Sequence, residues 1–120
     1  MNTLKYIAIT AMIILTSCST KYYTGEIYIH DADTIYLDYQ PLRFKNIDCP
    51  ELNTPQGIKA KEKLEELIEQ HKDSIQIQIV GKDKYNRDLG TVYIGKYKVR
   101  SISEILIQRG YCKEWIYLLN

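Results

Sequence analysis

Between Gly25 and Ile47 the chain alternates apolar and polar residues in three short runs with little room between them, and this pattern constrains the fold most. Ile27 and Ile29 alternate with Tyr28 and His30, Ile35 and Leu37 repeat the pattern over Thr34 to Asp38, and a third run covers Leu42 to Ile47. A period of two marks a half-buried strand, and connections this short make consecutive strands pair with one another. Tyr39, Gln40 and Pro41 are expected to form the turn into the third strand.

After that meander the pattern becomes helical. Thr54 is placed as an N-cap with Pro55 at the first helical position, and Ala60, Leu64, Leu67 and Ile68 recur at helical spacing. The charged residues from Lys61 to Glu66 read as a solvated face. Ile75, Ile77 and Ile79 alternate with Gln76 and Gln78 as a fourth strand, and Thr91 to Val99 reads as a fifth, or as a hairpin around Gly95. Ser101 and Glu104 stand at capping-box spacing, Ile102, Ile105 and Leu106 share one face, and Gly110 is a stop signal before a last extended piece, Tyr111 to Leu119. The expected fold is α+β: a small five-stranded OB-type β-barrel with two helices.

The first residues do not belong to that domain. Met1 to Ser17 places Lys5 ahead of an apolar run, Tyr6 to Leu15, and then small polar residues; this is the order of a secretory signal peptide, and the run is too short to span a membrane. Leu15 to Cys18 reads LTSC and resembles a bacterial lipobox, in which Cys18 would become the lipidated first residue; cleavage with release is the alternative. The organisation expected is a signal peptide over 1–17, a lipidated Cys and tether over 18–24, and one domain over 25–120. An exported protein, lipid-anchored or secreted, is implied.

With a formal net charge of +1, the chain advertises no strong field for nucleic acid, so phosphate binding must come from a few placed cations. The absence of any CxxC or His-rich cluster from the sequence argues against structural zinc.

Asp31 and Asp33 stand one residue apart ahead of the second strand, where their charges repel. A solvated turn is the simplest account. Further along come Arg43, then Asp48 and Glu51 in the IDCPE stretch, then Arg87 in DKYNR. In this order and spacing the sequence resembles the thermonuclease, or staphylococcal nuclease-like, family. That family carries an Asp-Gly-Asp-Thr turn, an Arg five residues before the Asp of a D-x-P-E box, a helix, and a D-[KR]-Y-G-R loop before a strand.

The resemblance implies a calcium-dependent nuclease that hydrolyses phosphodiester bonds of DNA or RNA to 3′-phosphate products. Asp33 and Asp48 would be direct metal ligands with the backbone carbonyl of Cys49, and Asp31 would reach the ion through water. Oxygen donors from separate segments suit Ca²⁺, and an EF-hand is excluded because Tyr36 and Leu42 occupy the positions of its Gly and Glu. Arg43 and Arg87 would clamp phosphate, and Glu51 would position or deprotonate the attacking water. Lys84 and Tyr85 would contact substrate, with a tyrosine near the C-terminus as a further stacking group. A bridge between Cys49 and Cys112 is expected too, because they are the thiols left in an exported domain, and in the related fold the segment after the D-x-P-E Asp lies close to the strand after the second helix. A monomer is expected.

Three departures from the family's pattern stand out. Ala32 replaces the turn Gly, Asn86 replaces the Gly of the D-K-Y-G-R loop, and the family's last C-terminal helix is expected to be lacking. The competing reading is a catalytically weak or inactive OB-fold nucleic-acid-binding module on the cell envelope, since one fold hosts many functions.

Overall fold

The computed structural model describes residues 21–116, so the expected signal peptide, Cys18 and Tyr117 lie outside the described residues. Three strands come first: β1 (Ile27–Asp31), β2 (Thr34–Leu37) and β3 (Gln40–Phe44). Then follow β4 (Ile47–Asp48), α1 (Pro55–Gln70), β5 (Ile75–Lys82), β6 (Asp88–Ile94), β7 (Arg100–Ser101), α2 (Ile102–Gln108) and β8 (Lys113–Glu114).

The main sheet runs β1-β2-β3-β6-β5, with β7 on β6, while β4 and β8 form a separate pair. All of these pairings are antiparallel except β3 with β6. That one parallel pair needs a crossover, and the α1–β5 segment supplies it. Just ahead of β1, the Tyr23 N–H donates to the Ile75 carbonyl at 2.7 Å, linking the two outer strands of the sheet order. With two helices and this strand order the chain is the expected α+β, OB-type fold.

Helix α1 begins where the sequence places it: the Thr54 hydroxyl accepts from the Gly57 N–H at 3.0 Å and Pro55 occupies the first turn. It buries Ala60, Leu64, Leu67 and Ile68 against the sheet. Helix α2 is capped by Ser101, whose hydroxyl accepts from the Glu104 N–H at 3.0 Å, and it buries Ile102, Ile105 and Leu106. Phe44, Ile35, Leu42, Ile75 and Val92 complete the core from the strands. Truncating a fully buried residue such as Leu64 would cost about 2–5 kcal/mol.

Four expectations are corrected in detail. The run from Leu42 to Ile47 is two strands, because Asn46 takes a left-handed φ of 61° and turns the chain. The turn into β3 falls at Asp38 and Tyr39, with φ of 47° and 71°, and Gln40 and Pro41 belong to β3. The Asp38 carboxylate supports that turn, accepting from the Tyr23 hydroxyl at 2.7 Å and the Glu26 N–H at 2.9 Å. Ile79, expected on the buried face, is 53% exposed: β5 bulges between Ile79 and Gly81 as it runs past the core. The extended piece after Tyr111 is a two-residue strand, β8, among the described residues, and of the Thr91–Val99 alternatives the hairpin around Gly95 is the one formed.

Register sets up the site. Tyr28, Tyr36 and Pro41 lie opposite one another across the first three strands, and Asp31, Thr34 and Arg43 form the next row on the same side. Between these rows β1 slips register at Ile29 to Asp31, so His30 is the extra residue of a bulge.

Candidate active site

Bulge and turn together aim the two acids. The Asp33 N–H donates to Asp31 Oδ1 at 3.2 Å, and Asp31 Oδ2 meets His30 Nδ1 at 3.3 Å. Ala32, at the turn position where the family has Gly, needs no positive φ and buries its methyl at 2% exposure, so this departure adds core contact and not strain. Burial, followed by the neighbouring Asp31, pushes the Asp33 carboxyl up to about 6, against the pull of the Arg43 guanidinium and the Cys49 N–H. Burial also raises Asp31, but hydrogen bonds from Asp33 and His30 outweigh it and leave Asp31 below the usual carboxylate range. The pair therefore retains a proton where isolated carboxylates would have lost theirs.

Arg43 ties this acid pair to the backbone around it. Its guanidinium donates to the Phe44 carbonyl at 2.7 Å and the Ile47 carbonyl at 2.8 Å, and lies 3.6 Å from Asp33 Oδ2. With the Arg43 and Asp33 side chains 22% and 14% exposed, this is not a surface ion pair of negligible worth.

The segment after β4 is brought to Asp33 through its main chain: the Cys49 N–H donates to Asp33 Oδ2 at 3.3 Å. Cys49 is bridged to Cys112, as expected, across a sequence separation of 63. The β4–β8 pairing, Ile47 opposite Glu114 and Asp48 opposite Lys113, docks the same two segments. Asp48 is exposed beside this junction.

Glu51 is exposed, but its carbonyl is held. It accepts from the Thr54 N–H at 3.0 Å and the Thr54 hydroxyl at 2.7 Å. Gly57 packs against that carbonyl so closely that a Cβ there would collide with main-chain atoms of Glu51 and Pro50. A single Thr thus caps α1 and fixes the loop carrying Glu51.

Arg87 belongs to a second, self-contained cluster. Asp83 Oδ2 accepts from Arg87 Nε at 2.7 Å, while Asp83 Oδ1 accepts from the Tyr85 and Arg87 N–H groups, each at 2.9 Å. Partial burial raises the Asp83 carboxyl, but the Arg87 and Tyr85 donors outweigh it and hold it below the usual carboxylate range. Tyr85 is 68% exposed, with the Lys84 ammonium 5.2 Å and the Arg87 guanidinium 5.4 Å from its ring. Asn86 takes φ 63° in place of the family's Gly, in the region Asn tolerates best. Arg87 immediately precedes β6, whose Leu89 lies opposite Arg43 in the parallel pair.

Asp31, Asp33, Arg43 and the Cys49 backbone are thus joined by direct contacts, Asp48 and Glu51 follow within three residues along the chain, and Lys84, Tyr85 and Arg87 stand on the neighbouring β5–β6 turn. Tyr111, the described tyrosine near the C-terminus, packs against the core. Sequence reasoning missed Asp83 and Gly57. The signal for Asp83 was present, since an Asp two residues before a loop residue commonly bonds its N–H; the Gly57 approach depends on tertiary packing.

Among the described residues no three His, Cys, Asp or Glu side chains converge closely enough to hold a metal ion by themselves. The donor chemistry nevertheless fits a hard cation weakly held: Asp31 and Asp33 stand side by side, burial disfavours the negative charge of Asp33, a divalent ion there would offset that cost, and water or phosphate would complete the shell. A family model described as staphylococcal nuclease homologue matches residues 41–118. No curated protein matches the chain.

Proposed function

We propose, from the premise that the chain belongs to the staphylococcal nuclease homologue family, that it is a calcium-dependent nuclease cleaving DNA or RNA to 3′-phosphate products. Family membership implies a nuclease hydrolase with a nucleic-acid substrate. The observation that carries the finer reading is the convergence on Asp33 of Asp31, the Arg43 guanidinium and the Cys49 N–H, because acids and a phosphate-matching cation share one partly buried site.

Asp33 and Asp48, with the Cys49 carbonyl, would hold Ca²⁺, and Asp31 would reach it through water. Bound there, the ion would supply positive charge to the phosphoryl oxygens. Arg43 offers its guanidinium to the same phosphate, and Arg87 adds a second fork, whose charge counts more in the transition state than in the ground state. Glu51, held by its own main chain, orients the attacking water and takes its proton. Lys84 and Tyr85 steady the adjoining nucleotide by charge and by ring contact.

The leader pattern over 1–17 and the LTSC stretch support export with Cys18 as a lipid anchor. The Cys49–Cys112 disulfide supports an oxidising compartment. Mass spectrometry of the processed protein would show an acylated Cys18, and an unmodified Cys18 would rule out the anchor.

The nuclease reading is tested by incubating the protein with single-stranded and duplex DNA, in Ca²⁺ and in chelator. Cleavage that requires Ca²⁺ and yields 3′-phosphate ends is expected. Binding without cleavage under every condition would point instead to an OB-fold binding module.

A further inference from the structure

One surface beside the site has no role in the reading above. On the outer side of the β1–β2 hairpin, Tyr28, His30, Tyr36 and Tyr39 line an open groove of about 620 Å³. Tyr28 and Tyr39 are 65% and 84% exposed. The Tyr28 and Tyr36 rings meet edge to face at 6.0 Å, and His30 stands 6.4 Å from Tyr36. Packing alone does not account for two exposed tyrosines and an exposed imidazole around the half-buried Tyr36 on one side of the β1–β3 meander.

Two observations say what the groove is for. First, it lies beside the site: Tyr28 and Tyr36 occupy the row next to Asp31, Thr34 and Arg43 on one side of the sheet, roughly 7 Å away at the spacing of alternate strand residues. His30, which shares the groove, bonds Asp31 directly. Secondly, Tyr39 sits on the two-residue β2–β3 turn, whose geometry sets its φ of 71°, and its ring lines the groove while 84% exposed.

We propose that Tyr28, Tyr36 and Tyr39, with His30, form a stacking platform for unpaired bases flanking the scissile phosphate, so that the enzyme engages single-stranded nucleic acid. The proposal rests on the nuclease reading for its substrate. A base has an apolar face for each ring to cover, and aromatic stacking of this kind is tolerant of sequence. Among the described residues the groove is lined by no lysine or arginine, and Glu26 stands at its edge. A duplex, which presents phosphates and keeps its base faces covered, would gain nothing there and would meet acid. A single strand can turn its bases inward and keep its phosphates in water.

The charge pattern separates this platform from the arginine clamp. Stacking releases no counterions, so losing a tyrosine should lower affinity at every salt concentration by the same factor, whereas losing a phosphate contact flattens the salt dependence.

The test measures binding of thymidine oligonucleotides two and eight nucleotides long to the full chain in chelator, across a salt series. Tyr28→Ser and Tyr39→Gly should each weaken binding of the octamer on the order of 10-fold, with the salt slope unchanged and the dimer affected far less. Tyr36→Phe, which keeps the ring and drops only the hydroxyl, should bind as the wild type does. Unchanged octamer affinity in both truncations overturns the proposal, as does equal loss for dimer and octamer or loss in Tyr36→Phe. A truncation that spares the oligonucleotides but weakens binding to phosphatidylglycerol vesicles would assign the groove to a membrane and overturn it as well. If Ca²⁺ then fails to elicit cleavage of the octamer by the wild type, the nuclease reading falls, while the binding comparison still decides the platform.

Discussion

The two clusters that supply the site's charges are built in opposite ways. Asp31, Asp33 and Arg43 are held by long-range structure: a bulge in β1, the pairing of β2 with β3, carbonyls at Phe44 and Ile47, and the Cys49 N–H. Arg87, Tyr85 and Lys84 sit on one loop organised by a single carboxylate, Asp83, four residues or fewer from each. In the first cluster the proposed function and the stability would rest on the same bonds; in the second they would be separable. Loss of Arg43 or of the disulfide brace in the first should therefore damage both the fold and the chemistry, and substitutions in the second the chemistry alone.

The largest effect tests the brace of the first cluster. The disulfide closes a separation of 63 residues, and removing it by reduction or by Cys112→Ser should lower stability by about 4 kcal/mol, read from urea unfolding with and without reductant. Activity should fall along with it, because Cys49 is the residue whose N–H meets Asp33. Reduced protein as stable and as active as oxidised protein would show that β4–β8 pairing alone suffices.

Arg43→Ala should cut the cleavage rate on the order of 10²- to 10³-fold. It should also cost about 1–3 kcal/mol, since the Phe44 and Ile47 carbonyls lose their donor and Asp33 its counter-charge. Arg87→Ala is its counterpart and should slow cleavage about 10- to 100-fold while shifting stability by less than about 0.5 kcal/mol. Parallel rate assays and urea melts on the two variants decide this, and equal stability losses would erase the distinction between the clusters.

The last effect has a sign that identifies its cause. In cation-free protein the raised Asp33 carboxyl means the folded state holds that proton more tightly than the unfolded state does. Stability from this group is then lost as pH climbs from about 4 to about 6. Asp33→Asn should accordingly stabilise the protein by about 1–2 kcal/mol at pH 7 in chelator and leave it unchanged near pH 4. Thermal melts at the two pH values check this, and destabilisation at pH 7 would show that Asp33 contributes more through its bonds than its charge costs.

Much of this arrangement was legible in the chain because its signals are local. Thr54 and Pro55, Ser101 and Glu104, and the period-two runs each state their structure within a few residues, and the helix starts, helix faces and order of strands followed. Departures came where a neighbour decided. Lys45 and Asn46 lie inside an apolar run, yet Asn46 turns the chain and the Lys45 N–H bonds Gly90 on β6. Tyr39 is no turn residue by preference, but Tyr23 and Glu26 hold Asp38 beside it. The site's residue types and spacing were readable from motifs, whereas the Gly57 approach to Glu51 and the slip at His30 depend on how segments far apart in sequence pack.

The central claim is that Glu51 performs chemistry on a phosphodiester held by the two clusters. Single-turnover cleavage of single-stranded DNA in saturating Ca²⁺, compared between wild type and Glu51→Gln, tests it most directly. The account predicts a rate lower by about two to four decades in the variant, with nucleotide binding retained. Equal rates in the two proteins, or wild-type cleavage undiminished by chelator, would contradict it.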